Sequence, residues 1–365
     1  MNLYKESYIL NLISILIAII ILVKNRKYIF HNIPSNNNSD YWLLGIFITA
    51  FSLLYRVGYD FIGHQLQIEN YIHDDYYTLH MEDFYYWLVD HITTDYLLWR
   101  TIVWGLSAIL LVKCFKALKA DSKLALCLFI MIALLPAFYY LRNCLAFGFL
   151  YLGVILYTQN REQTIFSIKN ILILILIICS LQTHKTTPLY LLISILGLVI
   201  PLNKKTIIIS IILFPFLYVM TKEIGSELLS FTSLNEETLT YGNAYLETTN
   251  TTGVTFFGYI GLIIVKFPSI YLLWHAIKGV ISNKEKVTYT EKTLLMITYI
   301  IVYISFLLKF NVDAIVDGRI SNSATYPMAL YAVCYLKNKR TSKINHIYIY
   351  SIIISYLYST LLRLQ

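Results

Sequence analysis

The sequence predicts an all-α, polytopic integral membrane protein, with about 12 transmembrane helices and two sizeable extracytoplasmic loops. Three observations lead there. Of the 365 residues, 58% are hydrophobic and only 14% are charged, whereas soluble domains carry about a quarter charged residues. The apolar residues fall in repeated runs of membrane-spanning length. The basic residues gather in every second connection between those runs, as cytoplasmic loops do.

Taken in order, the apolar runs are 7–23, 41–55, 96–112, 124–141, 143–158, 170–183, 186–200, 206–221, 254–274, 293–310, 321–336 and 344–362. A helix is the structure expected for each, because a segment in lipid must satisfy its own backbone hydrogen bonds. The first run has little positive charge before it and no small-residue cleavage site after it. It reads as a retained helix rather than a signal peptide. The turns at 142 and 184–185 are tight and mark places for broken or re-entrant helices. Pro136, Pro188, Pro201, Pro215, Pro268 and Pro327 lie in or beside runs, where membrane helices accommodate proline as kinks or ends.

Basic clusters follow runs one, three, five, seven, nine and eleven, from Lys24, Arg26 and Lys27 to Lys337, Lys339, Arg340 and Lys343. With these connections inside, both termini lie outside. The net charge of +8 is accounted for in this way, and no nucleic-acid partner is expected. The whole chain, 1–365, then forms one transmembrane domain. Its extracytoplasmic loops are 56–95, acidic and rich in Tyr, Phe and Trp, and 222–253, rich in Thr, Glu and Asn. Many of the 32 tyrosines sit at the ends of runs, as in an interfacial aromatic belt. The five cysteines form no CxxC pair and are odd in number, so neither a disulfide framework nor a zinc site is indicated. No metal site or cofactor is expected, and there is no Walker, GxGxxG, HExxH or GxSxG motif.

Once the inward basic residues are set aside, a few ionisable residues remain at the outward ends of the runs. They are Arg56, Asp60, Glu82, Arg142, His184, Lys185 and Arg319. Ionisable groups at membrane depth are costly, which makes them functional candidates. All but Asp60 also have a plainer reading. Arg56 can be a snorkelling side chain and Arg142 a pin for a helical hairpin. His184 can be a hydrogen-bonding interfacial residue, and Lys185 merely solvated. Arg319 can pair with Asp313 or Asp317, and Glu82 is one carboxylate in an acidic loop. The positive-inside rule disfavours an outward arginine such as Arg142, so there the functional reading is preferred. Lys266 lies in the middle of the 254–274 run.

The ordered segments Arg56-Val57-Gly58-Tyr59-Asp60, Glu82-Asp83-Phe84-Tyr85-Tyr86, Leu141-Arg142-Asn143-Cys144-Leu145-Ala146 and His184-Lys185-Thr186-Thr187-Pro188-Leu189 resemble those of the EpsG family, relatives of the Wzy polysaccharide polymerases. The aspartate of the first segment stands one residue closer to its arginine than in the family. Asn143 replaces the family's glutamine, and Arg319 fits a further outward arginine near the C-terminus.

The resemblance implies a capsule or exopolysaccharide glycosyltransferase at the outer face of the bacterial cytoplasmic membrane. It would join oligosaccharide repeat units carried on undecaprenyl diphosphate. Arg142 and Arg319, with Arg56 and Lys185, would neutralise the diphosphate leaving group without a metal ion. Asp60, Glu82 and His184 are candidates for the base that takes the acceptor hydroxyl's proton. Membrane lipids and a flippase and chain-length regulator of the same pathway are the implied partners. An O-antigen ligase-like transferase, a lipid-linked oligosaccharide transporter or flippase, and a structural membrane subunit are the competing readings.

Overall fold

The computed structural model describes residues 83–134, 141–160, 167–232, 256–282, 287–308, 322–338 and 343–362, together with isolated residues at 9–24, Gln65, Ile68 and Ile320. Among the described residues the regular structure is all helical, with no strand. The helices are α1 (Asp83–His91), α2 (Tyr96–Ala117), α3 (Ser122–Leu128), α4 (Leu141–Gln159), α5 (Ile168–Thr183), α6 (Thr187–Val199), α7 (Lys204–Thr232), α8 (Phe256–Ile281), α9 (Tyr289–Leu308), α10 (Thr325–Asn338) and α11 (Lys343–Leu362). A π-helical stretch, Phe129–Leu134, continues α3. Over its described residues, each apolar run from 96–112 onward falls on a helix; of the 124–141 run, 124–134 and 141 are described. The 41–55 run lies outside the described residues.

Polar side chains fix the helix ends. Asp95 accepts a hydrogen bond from the Leu98 amide at 3.0 Å, and Asp121 accepts from the amides of Lys123 and Leu124 at 3.0 Å. Ser167 accepts from Asn170 at 3.3 Å and Asn203 from Thr206 at 2.9 Å. Each satisfies an amide that the helix itself cannot. At α9 the capping is reciprocal: the Thr288 amide donates to Glu291 at 2.7 Å, and the Glu291 amide to Thr288 Oγ1 at 3.2 Å, a capping box. At the end of α2 the chain turns through Lys119, whose φ is 51°. The Ala120 amide there donates to the Phe115 carbonyl and the Lys119 amide to that of Lys116, both at 3.0 Å. This is the hydrogen-bond pattern of a Schellman turn.

Two helices extend into segments read as loops. α1 lies within 56–95, and α7 continues to Thr232 through the first part of 222–253. In α7 the continuation Lys222-Glu223-Ile224-Gly225-Ser226-Glu227-Leu228-Leu229 has no proline and is dominated by helix formers. Hydropathy falls where helical propensity does not.

α4 lies at the centre and packs against α2, α5, α6, α9 and α10. Its partners in α5 run antiparallel, joined by a hydrogen bond from the buried Ser180 Oγ to the Ala146 carbonyl at 2.7 Å. α2 runs parallel to α4. Its Leu110 sits against Gly148, where an added Cβ would meet Leu110 Cβ at 2.9 Å, and Gln159 Nε2 donates to the Ala117 carbonyl at 2.8 Å. The buried Thr158 donates to Thr290 Oγ1 at 2.9 Å, and Tyr289 donates to the Leu198 carbonyl at 2.8 Å. These contacts gather the C-terminal ends of α2, α4 and α6 with the N-terminal end of α9. Lys169 joins them from the start of α5, donating to Asn160 Oδ1 at 3.2 Å.

The core draws on every described helix but α7 and includes Trp99, Trp104, Phe115, Tyr151, Tyr331 and Tyr348, each under 2% exposed. Cys114, Cys127, Cys144 and Cys334 are buried in it, and all five cysteines are free thiols. The outer faces are also apolar. Ile171, Leu172, Leu174, Ile175 and Ile178 of α5 are 47–58% exposed, and Ile209, Ile211, Ile212 and Phe216 of α7 are 54–68% exposed.

Candidate functional site

The end of the bundle opposite the basic connections holds Arg142, His184 and Lys185. The Ser180–Ala146 hydrogen bond fixes their relative level. Arg142 lies one turn before Ala146 on α4, and His184 lies one turn after Ser180 at the end of α5. Because the two helices are antiparallel, both residues arrive at the same end of the pair. Asp60, Arg56, Glu82 and Arg319 lie outside the described residues.

Arg142 is half-buried in the first turn of α4. The phenol of Tyr85, 1% exposed, donates to the Arg142 carbonyl at 3.4 Å. The Tyr85 ring is itself held 5.3 Å from that of Trp99 and 5.5 Å from that of Phe84. α1 therefore does more than pass through the acidic segment: it pins the start of α4 to the start of α2. The amide groups of a helix's first turn are electropositive, so the guanidinium and the backbone both favour an anion at this end of α4.

His184 closes α5 in an extended conformation. Its Nδ1 accepts a hydrogen bond from the Thr186 amide at 3.1 Å and contacts Thr186 Oγ1 at 2.8 Å. With Nδ1 occupied as an acceptor, the proton of the neutral ring resides on Nε2. The ring then offers a donor at Nε2 rather than a free basic nitrogen. This geometry suits hydrogen bonding to an oxyanion better than abstraction of a proton. Lys185 is exposed beside it, and Pro188, in the first turn of α6, sets the direction of the departing helix.

Below this end lies a cluster of buried rings joining α4, α6 and α10. Phe147 meets Tyr190 edge-on at 4.8 Å and Tyr326 at 6.0 Å. Tyr151 stacks on Tyr326 at 5.7 Å. The hydroxyls of Tyr151, Tyr326 and Thr187 are buried and make no hydrogen bond. The tyrosines at the ends of runs had pointed to an interfacial belt, whereas these three rings (Tyr151, Tyr190 and Tyr326) sit inside the bundle.

Arg100 also escaped the sequence reading. It occupies the first turns of α2, is 3% exposed, and donates from Nη1 to the Tyr96 hydroxyl at 3.2 Å. The signal that singled out Arg142, an arginine at an outward helix end against the positive-inside bias, applies equally to Arg100 in the 96–112 run.

Among the described residues no group of three or more His, Cys, Asp and Glu is placed to hold a metal ion. No protein-family model matches the chain, and no curated protein or solved structure does.

Proposed function

We propose that the chain is a multi-pass protein of the bacterial cytoplasmic membrane. In this reading it is a polysaccharide polymerase that joins undecaprenyl-diphosphate-linked oligosaccharides into capsular or exopolysaccharide at the outer face. The observation that carries this is the arrival of Arg142 and the His184–Lys185 pair at one end of two packed helices, with the lysine-rich connections at the other.

Two described helices, Tyr96–Ala117 and Tyr289–Leu308, are long and apolar enough to cross a membrane. Half or more of each apolar window is buried within the bundle, as the core helix of a soluble protein also is. The exposed apolar faces of α5 and α7 favour the membrane reading. Soluble monomers rarely leave such broad apolar patches in water, while a bilayer solvates them. The parallel course of α2 and α4 and the antiparallel course of α4 and α5 are those expected of the same membrane topology.

The topology has a direct test. Cysteine placed at Lys185 should react with a membrane-impermeant maleimide on intact spheroplasts. Cysteine placed at Lys204, at the other end of α6, should react only after permeabilisation. Equal labelling of both without permeabilisation would remove the membrane assignment.

In the reaction, an acceptor hydroxyl oxygen bonds to the donor's anomeric carbon as the bond from that carbon to the diphosphate oxygen breaks. The lipid diphosphate leaves with the electron pair. Arg142 and Lys185 neutralise the charge it gains, and His184 donates from Nε2 to one of its oxygens. The acceptor proton goes to a carboxylate, with Asp60 and Glu82 as candidates. Arg56 and Arg319 are further diphosphate ligands in this reading, and membrane lipids and a flippase and chain-length regulator of the pathway are its partners.

Transfer of the same donor to a lipid A core would make the chain an O-antigen ligase-like transferase. Lys266, half-buried within α8 two residues before Pro268, favours a transporter or flippase instead. Purified protein in detergent, supplied with the lipid-linked repeat unit and no gradient, should yield a ladder of longer glycans. Unchanged single units with a folded protein present would overturn the polymerase reading.

A further inference from the structure

We infer that α1 is docked in the headgroup zone of the outer leaflet through Trp87, and that this docking holds the Arg142–His184–Lys185 end of the bundle at the depth of lipid phosphates. The inference rests on the membrane assignment. It deepens the polymerase reading by fixing where a lipid-linked diphosphate meets the site.

α1 has two unlike faces. Tyr85, Leu88 and Val89 are buried, and the helix packs on α5. Trp87, Asp90 and His91 stand on the opposite face, at the i, i+3 and i+4 spacing of one helical stripe, and all three are exposed. The Trp87 and His91 rings stack at 5.4 Å. His91 Nδ1 lies 3.1 Å from the Trp87 carbonyl and 3.4 Å from Asp90 Oδ2. The outer face of α1 is thus one large indole set beside a carboxylate and an imidazole.

This composition brackets the depth of the helix from both sides. Ionisable side chains are costly in the hydrocarbon centre, so Asp90 and His91 keep α1 out of it. Bulk water is disfavoured by the exposed apolar side chains that lead from α1 into α2: Trp87, Ile92, Leu97 and Leu98. Tryptophan settles between these two media, at headgroup level, where one part of the ring is apolar and the other wet. Leu97 and Leu98 are exposed in the first turn of α2, a helix long and apolar enough to cross a membrane. They mark where the hydrocarbon begins.

The same helix sets the level of the site. Tyr85 packs on Trp99 of α2, and the chain rejoins α2 at its N-cap, Asp95, one turn earlier. Both ends of α1 therefore stay level with the first turns of α2. Tyr85 also donates to the Arg142 carbonyl, which ties the start of α4 to this level. The headgroup zone is about 5–8 Å deep on each side of the hydrocarbon. A shift of one helical turn would carry the guanidinium out of it.

Wild type and Trp87→Phe would be reconstituted as full chains in phosphatidylglycerol–phosphatidylcholine nanodiscs. The difference in their tryptophan emission is the Trp87 signal. It should be quenched more by lipid brominated near the carbonyls than by lipid brominated near the chain ends, and only weakly by aqueous acrylamide. Trp87 is exposed, so the phenylalanine variant should fold. Lys185→Trp in the Trp87→Phe background, read against Trp87→Phe alone, should show the same shallow profile at the site itself.

Quenching by acrylamide with neither lipid acting would put α1 in water and overturn the docking. Stronger quenching by the chain-end label would put it in hydrocarbon and overturn it as well. Emission that responds to the soluble repeat-unit glycan and ignores both lipids would assign this face to sugar instead. A shallow Trp87 with a deep or purely aqueous Lys185→Trp would break the link between α1 and the depth of the site. Shallow profiles at both positions without glycan elongation would leave the docking standing and sink the polymerase reading. Elongation with an aqueous Trp87 would do the reverse.

Discussion

Arg142→Ala is expected to lower the rate of glycan elongation by about a hundredfold or more, the usual loss when one group stabilising a developing anion is removed. The side chain is half-buried at the start of a helix whose carbonyl is pinned by Tyr85. It is therefore held in place before substrate arrives, and its charge is less screened than that of an exposed residue such as Lys185. Arg142→Lys keeps the charge but loses the planar fork, so it should retain a small part of the activity. Cells carrying the alanine variant as their sole copy should accumulate single repeat units and lose long polymer. The variant should reach the membrane in normal amounts and melt close to wild type, because a partly exposed guanidinium is not a core element. Long polymer of normal length from Arg142→Ala would end the role assigned to this residue.

His184 sharpens this expectation. Read from the sequence, it was a candidate base beside Asp60 and Glu82. The hydrogen bond from the Thr186 amide to Nδ1 places the proton of the neutral ring on Nε2. That distinction depends on a local turn, in which a histidine at the end of one helix caps the approach to the next. No hydropathy pattern carries such information. Asp60 and Glu82 remain candidates on chemistry alone, outside the described residues.

The helices themselves were legible because apolar length and capping residues agree. The 96–112 run opens directly after Asp95, the 170–183 run lies just beyond Ser167, and the 293–310 run follows the Thr288–Glu291 box. The helical parts of the two loop segments have a common cause. α1 and the end of α7 consist of residues that favour a helix yet are too polar to extend an apolar run. Arg100 was hidden differently: one charge inside a long apolar run is averaged away, although its place at the expected outward end of that run carries the same signal as Arg142. The grouping of Phe147, Tyr151, Tyr190 and Tyr326 depends on packing between distant segments, which a single sequence does not display.

The other large effect expected concerns stability rather than chemistry. α6 crosses α9 at Gly197, where a Cβ would lie 2.6 Å from Ile297 Cγ1 and 3.3 Å from the Ile297 amide nitrogen. Ile297 is fully buried, so its side chain has little room to retreat. Small residues at helix crossings allow this kind of backbone approach. Gly197→Ala should therefore destabilise the protein by about 1–3 kcal/mol through overpacking, despite alanine's better helix propensity.

Ile297→Ala alone should cost about 2–5 kcal/mol by leaving a cavity. In the double variant the new methyl group occupies space vacated by Cγ1, and the cost should fall below the sum of the single effects by about 1 kcal/mol or more. Unfolding in detergent, followed for all four proteins, measures the coupling, and simple additivity would show that the two residues do not meet.

Gly197 also lies at the end of α6 remote from His184 and Lys185. Elongation per folded molecule should accordingly stay within about twofold of wild type for Gly197→Ala, since uncoupled distant sites act independently. The variant would lose stability and keep its chemistry, whereas Arg142→Ala would do the opposite. That opposition is what distinguishes a scaffold contact from a member of the anion site.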